Sequence, residues 1–197
     1  MVSVILCIIY RKSFSSKYFF YFILLSGVTS VIAAFGHLEI LAITWQKGLL
    51  LFSRLVNMVS IFCFATGALN HFNYTEKRWV RVANPGLIAV SVMWLIYTNV
   101  YTPVMLYGII GMIGIGLLVF LLNFSLDKES HTPIVLGVAI LACSALFFAT
   151  YKHSSFDLFN YERVFIASDI SHILIATSLV VMTLGLKKLK VKEVKQL

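Results

Sequence analysis

Polar positions are scarce along this chain and cluster in short runs, with long apolar intervals between them. Apolar stretches cover 18–45, 49–70, 85–101, 103–123, 133–150 and 164–186. About 20 apolar residues cross the hydrocarbon of a bilayer as a helix, so each stretch predicts a transmembrane span. The first is longer than a crossing needs and is interrupted only by His37 and Glu39. Residues 1–10 are apolar but short, and read either as a strained seventh span or as an interfacial segment. A signal peptide fits poorly, because no basic region precedes them and RKSFSSK follows where small cleavage-site residues would stand.

Composition agrees with the pattern. Apolar residues make up 60% of the chain and charged residues 12%, against about 25% charged in an ordinary soluble domain. The expectation is all-α: a multi-pass transmembrane helical bundle of six clear spans and a seventh at the start, forming one integral membrane domain over 1–197. The glycines 108, 111, 114 and 116 make one side of the fifth span small, which lets helix backbones approach closely. Pro85, Pro103 and Pro133 each follow Asn or Thr, and so predict helix starts with a side-chain cap before a first-turn proline. Cys7, Cys63 and Cys143 lie in separate apolar segments and suggest neither a disulfide nor a redox role.

Charge placement sets the orientation. With seven crossings and an external N-terminus, the internal pieces 11–17, 70–84, 123–132 and the tail after 186 carry +3, +2, −1 and +4. Together they hold the whole net charge of +8, and the external pieces cancel. Lysine and arginine collect on the cytoplasmic side, so the expected arrangement is N-out and C-in, in a bacterial inner (plasma) membrane. The tail KKLKVKEVKQL then lies against anionic lipid. The basic balance thus points to membrane lipids as partners and not to nucleic acid.

Ionisable residues inside apolar runs carry the candidate chemistry, because such groups are costly at membrane depth and by default mark function or internal pairing. Asp169 and His172 stand three apart in the last span, on one helix face. His37 and His172 each lie eight residues from the outer end of their spans as read here, about 12 Å deep at 1.5 Å per residue. Ser26, Ser30 and His37 share a face of the second span. Arg54 and Asn57 occupy the third, with Arg54 at the depth of Asp169.

Two readings follow. In one, His37, Asp169 and His172 hold a divalent metal such as Zn2+ with an open position for water, which would polarise a carbonyl. Arg54 or Ser30 would then steady an oxyanion or hold the substrate head. In the other, Arg54–Asp169 is a structural ion pair and the histidines hydrogen-bond across helices. Haem between His37 and His172, or between His71 and His131, is a further possibility, although the last two sit near helix ends as solvated loop residues would. His153 reads as a solvated outer residue. The last span has no lysine for a retinal Schiff base, and the chain has no phosphate-binding glycine loop or GxSxG elbow.

The seven spans, with a Ser/His stripe on the second and a His-bearing stripe on the last, resemble the CREST membrane hydrolases, which include alkaline ceramidases and the progestin/adiponectin-receptor family. The resemblance implies zinc held from the second and seventh helices and hydrolysis of lipid-like amides or esters. His37 would match the second-helix ligand, His172 the last seventh-helix ligand, and Ser30 the serine, whose usual place holds Ala33. The sequence departs from that pattern at the seventh-helix HxxxH, where Ser168 stands four before His172, and on the third helix, where Arg54 and Asn57 replace the acid. The competing expectation is a non-enzymatic small membrane transporter or receptor.

Overall fold

The computed structural model describes the backbone of residues 2–10, 13–38, 40–151 and 163–189, and their side chains except at 2, 4, 148–151 and 163–169. Every regular element among them is helical. The α-helices are α1 (Val2–Tyr10), α2 (Lys17–Gly36), α3 (Ile43–His71), α4 (Arg78–Thr98), α5 (Thr102–Gly108), α6 (Leu118–Leu122), α7 (Lys128–Tyr151) and α8 (Arg163–Lys188), and short 3-10 turns at Tyr74–Glu76 and Phe124–Leu126 precede α4 and α7. α5 and α6 are joined by a π-helical segment, Ile109–Leu117, into one rod over Thr102–Leu122.

Among the described residues six helices are long and apolar enough to cross a membrane, and α1 is not one of them. Its nine residues extend about 14 Å at 1.5 Å per residue, well short of the hydrocarbon thickness. The outer faces are apolar too: Ile8, Met93, Ile96, Leu146 and Ile173 are all exposed. Soluble monomers rarely display such continuous apolar surface; this is the architecture of a multi-pass membrane protein.

Two boundaries differ from the sequence reading. The long stretch 18–45 is not one span: α2 stops at Gly36, and 43–45 already belong to α3. A Cβ on Gly36 would lie 2.9 Å from Leu50 Cδ2, so glycine lets the chain fold back closely there without displacing that side chain. Gln46 Nε2 then donates to the carbonyls of Leu38 (3.0 Å) and Leu41 (2.9 Å), pinning the turn. An apolar turn held by one amide leaves no break in hydropathy. The prolines are the second difference. Pro103 does open a helix, but Pro85 and Pro133 lie inside α4 and α7. Charged first turns carry these helices beyond their apolar stretches, and Asp127 Oδ1 accepts from Ser130 N–H (3.2 Å) to start α7.

The helices close into a ring. α2 packs on α3, α3 on the fifth rod, the rod on α7, α7 on α8, and α1 bridges α8 and α2. α4 lies outside the ring against α3 and α5. The two tightest pairings use the same devices. Between α2 and α3, Ser60 Oγ lies 2.7 Å from Ser26 Oγ and donates to the Phe22 carbonyl at 3.0 Å. Between α7 and α8, Ser144 and Ser171 hydroxyls lie 2.8 Å apart and Ser178 donates to the Gly137 carbonyl at 2.7 Å. In lipid such hydroxyl bonds and small residues drive helix association. The glycine-rich fifth span behaves as its composition predicts: Gly111 faces Ile61 and Gly116 faces Phe64, with no room for a Cβ. Their spacing of five residues matches the i→i+5 bonding of the π segment, which keeps both against α3.

Because chain direction alternates, the start of α2, the end of α3, the start of α4, the end of the rod, the start of α7 and the end of α8 share one end. Lys17, Lys77, Arg78, Arg81, Lys128, Lys187 and Lys188 lie there, whereas the opposite end has Lys47, Arg54 and Arg163. The first is called the basic end below.

Candidate functional site

The residues singled out by the sequence belong to the opposite end, where the structure sets them on separate surfaces. His37 is exposed and caps α2 instead of lying within it, with φ −97° and ψ 0° and its N–H on the Ala33 carbonyl at 3.1 Å. Its expected depth therefore disappears with the shortened span. Ser30 is exposed, and its hydroxyl donates back to the Ser26 carbonyl at 3.0 Å. On α8 the residue turned inward at this level is Ser171; His172 is exposed. The side chain of Asp169 lies outside the described residues, as do Glu39, His153 and the tail from 190 onward.

With the side chain of its expected partner Asp169 outside the described residues, Arg54 is engaged at the α4–α5 turn. Its Nη1 donates to the Asn99 carbonyl at 3.1 Å and approaches Asn99 Oδ1 at 3.4 Å, while the guanidinium lies 5.8 Å from the centre of the Tyr101 ring. Asn99 ends α4 in the left-handed conformation, φ 50°. Arg54 thus clamps the α4–α5 turn, on a side of α3 remote from α8. α3 has 29 residues, roughly 44 Å at 1.5 Å per residue, longer than the hydrocarbon it has to cross. Among the described residues no three His, Cys, Asp or Glu side chains come close enough to share a metal ion.

The convergence of polar groups is at the basic end. One cavity of about 520 Å³ lies between the end of α3, the start of α7 and the end of α8, lined by His71, Asp127, Glu129, Ser130, His131 and Lys188. Lys188 Nζ pairs with Glu129 Oε1 at 2.6 Å across its mouth. His131 is 1% exposed, contrary to the solvated loop residue expected. Its ring packs edge-on against Phe72 and Phe120, with centroids 5.5 and 5.4 Å away, and Phe72 in turn meets His71 at 4.7 Å. An aromatic chain through Phe120, Phe64 and Phe22 continues from there into the core. The two histidines therefore flank one phenyl ring at the wall of one cavity.

A second cavity, about 510 Å³, lies on the other side of α3 among Tyr18, Thr66, Asn70, Glu76, Arg81 and Asn84. Sequence reasoning missed both cavities because it started α4 and α7 at their prolines. The missed signal was Asp127 three before Ser130, a capping pattern. Begun there, α7 carries His131 on one face with Ile134 and Val138, both of which are buried.

No curated protein and no solved structure matches the chain. A family model, DUF6962, described as a family of unknown function, matches residues 1–191. With nearly its whole length matched, the chain belongs to the DUF6962 family.

Proposed function

We propose that the protein is a non-enzymatic, solute-binding membrane protein, a small carrier or receptor, whose working site is the cavity between α3, α7 and α8. The observation that carries this reading is the pair His71 and His131 at one cavity wall, the second of them 1% exposed. Ionisable groups within a membrane bundle mark substrate paths and proton relays more often than not. Histidine is also the side chain whose ordinary titration falls near neutral pH.

The charges around the pair narrow the solute. Glu129 and Lys188 neutralise each other, and the Asp127 carboxylate holds the Ser130 N–H. Two imidazoles at the same wall are of the chemistry that can exchange a proton with a ligand. A small organic acid suits them: its carboxylate accepts from imidazolium, and its protonated form donates to imidazole. Cytoplasmic placement of the basic end follows from the lysine and arginine bias. The hydrolase reading would need His37 and His172 to meet at one metal, and their positions lend it no support.

Purified full-length protein should melt at a higher temperature with a matching small carboxylate, because a ligand that binds only the folded state raises Tm. A panel of mono- and dicarboxylates at pH 5.5 and 7.5 makes the test. A shift that is larger at the acid pH and absent in both His131→Gln and His71→Gln is expected. A shift that both variants retain, or no shift with any acid, would overturn the reading.

A further inference from the structure

We infer that the second cavity, between α2, α3 and α4 at the basic end, is a binding site for the neutral, hydroxyl-bearing head of an amphiphile. The site is independent of the one proposed above and lies on the other side of α3. Its central feature is Asn84, in the second turn of α4 and 5% exposed. Asn84 Nδ2 donates to Thr66 Oγ1 of α3 at 2.9 Å. Its Oδ1 is buried at the cavity wall and has no hydrogen-bond partner among the described residues. A buried polar atom without a partner is unfavourable enough to be rare in native proteins.

The next residue adds a second acceptor. Pro85 has no N–H, so the Arg81 carbonyl one turn earlier lacks the donor that a regular helix would supply. Arg81 and Pro85 both line the same cavity. Arg81 Nη2 is itself engaged with the Glu76 carbonyl at 3.1 Å. The wall therefore presents acceptors, namely Asn84 Oδ1, the Arg81 carbonyl and the Glu76 carboxylate, that call for a ligand rich in donors. One carboxylate and one guanidinium line the cavity, so its formal charge cancels and the head need carry none. Hydroxyl groups meet that requirement.

The rest of the lining says the ligand is an amphiphile. Phe62 and Leu69 of α3 and Val80 of α4 form the apolar part of the wall. α2 and α4 flank α3 without packing on each other, so the cavity opens sideways toward lipid between them. An acyl chain leaves by that gap while the head stays at the membrane boundary. The volume of about 510 Å³ leaves room for a glyceryl or hexosyl head and the first methylenes of its chain.

The test uses the full chain in a detergent without hydroxyls, such as lauryldimethylamine oxide, with monooleoylglycerol as probe and free glycerol and phosphatidylglycerol as comparison ligands. Native mass spectrometry reads retention, and thermal melting reads affinity. Wild type should retain one monooleoylglycerol, and Asn84→Leu should weaken retention at least tenfold. Thr75→Phe, which fills the cavity from the short turn outside the spans, should do the same without lowering the melting temperature of the ligand-free protein, so a folding defect in Asn84→Leu does not decide the outcome. Equal binding to wild type and both variants, or no binding, overturns the site. Glycerol binding as strongly as monooleoylglycerol overturns its assignment to an amphiphile. Preference for phosphatidylglycerol that survives Asn84→Leu overturns the neutral-head assignment and leaves a surface charge effect.

Discussion

The two ends of this bundle use their polar residues in opposite ways. At the end bearing Arg54, the described long polar and ionisable side chains close turns or face outward, and the buried hydroxyls of Ser53, Ser144 and Ser171 are taken up in bonds between helices. Gln46 ties down the α2–α3 turn, Arg54 holds the α4–α5 turn, and His37 and His172 are exposed. At the basic end, His71, His131, Asn84 and Thr66 from three helices line cavities between helices, and His131 and Asn84 are almost fully buried. A polar residue in an apolar run is therefore not in itself a site. What separates the two ends is whether helices approach closely behind the polar group and seal it from lipid and water. The glycines decide that at the basic end.

The largest effect should come from breaking that close approach. A Cβ on Gly185 would stand 2.6 Å from the Ser130 carbonyl oxygen and 3.0 Å from the Ile134 nitrogen, both backbone atoms that cannot turn aside. Gly185→Ala should cost about 3 kcal/mol, at the upper end of ordinary overpacking, and should open the cavity beside Ser130. Gly48 lies near the start of α3 at the other end, with nothing within 4 Å of its Cβ position. Gly48→Ala should stabilise by about 0.5 kcal/mol through helix propensity. Thermal melts of the two variants should thus move in opposite directions, and equal destabilisation would remove the asymmetry.

The histidines make the second contrast. His131→Ala removes a ring packed between Phe72 and Phe120 and should cost about 3 kcal/mol, as large-to-small changes in cores do. His131→Phe should restore most of that stability without restoring acid binding. His37→Ala changes an exposed cap and should stay within about 0.5 kcal/mol of wild type. If His37→Ala were the more damaging, the opposite end would hold the site after all.

Much of this fold was legible because length and hydropathy alone separate lipid-crossing helices from their links. The fifth span, its glycine face and the short α4–α5 link follow directly from 101–123. The α2–α3 turn was not legible, since residues 40–45 are as apolar as the helices they join and its stabiliser, Gln46, acts from the next helix. The same error moved His37 from a helix end to an imagined depth and brought it level with His172. At the basic end the loss was of another kind. Proline after Asn or Thr marks a first helical turn, but a helix accepts proline further in when the first turn is capped and charged, as Asp127 and Lys128 make it in α7. His131 then reads as interior, but its aromatic surroundings come from α3 and the fifth rod, which no local pattern in α7 discloses.

The smallest predicted effect tests the pairing that depth-matching suggested. Arg54→Ala removes a charged hydrogen bond to the Asn99 carbonyl and a ring contact to Tyr101, and at a half-exposed position should cost about 1 kcal/mol. Asn99→Gly keeps both the left-handed backbone and the carbonyl, so Arg54→Ala should cost nearly as much in that background. The informative partner is Asp169. Arg54 contacts the α4–α5 turn, and α8 packs on α7, α1 and α2, so Arg54→Ala and Asp169→Asn should add within about 0.5 kcal/mol, as separated sites do. A double variant more stable than the sum by over about 1 kcal/mol would mean a direct ion pair. Arg54 would then belong to a charged site at the end opposite the basic one, and the division of labour between the two ends would fail at its smallest term.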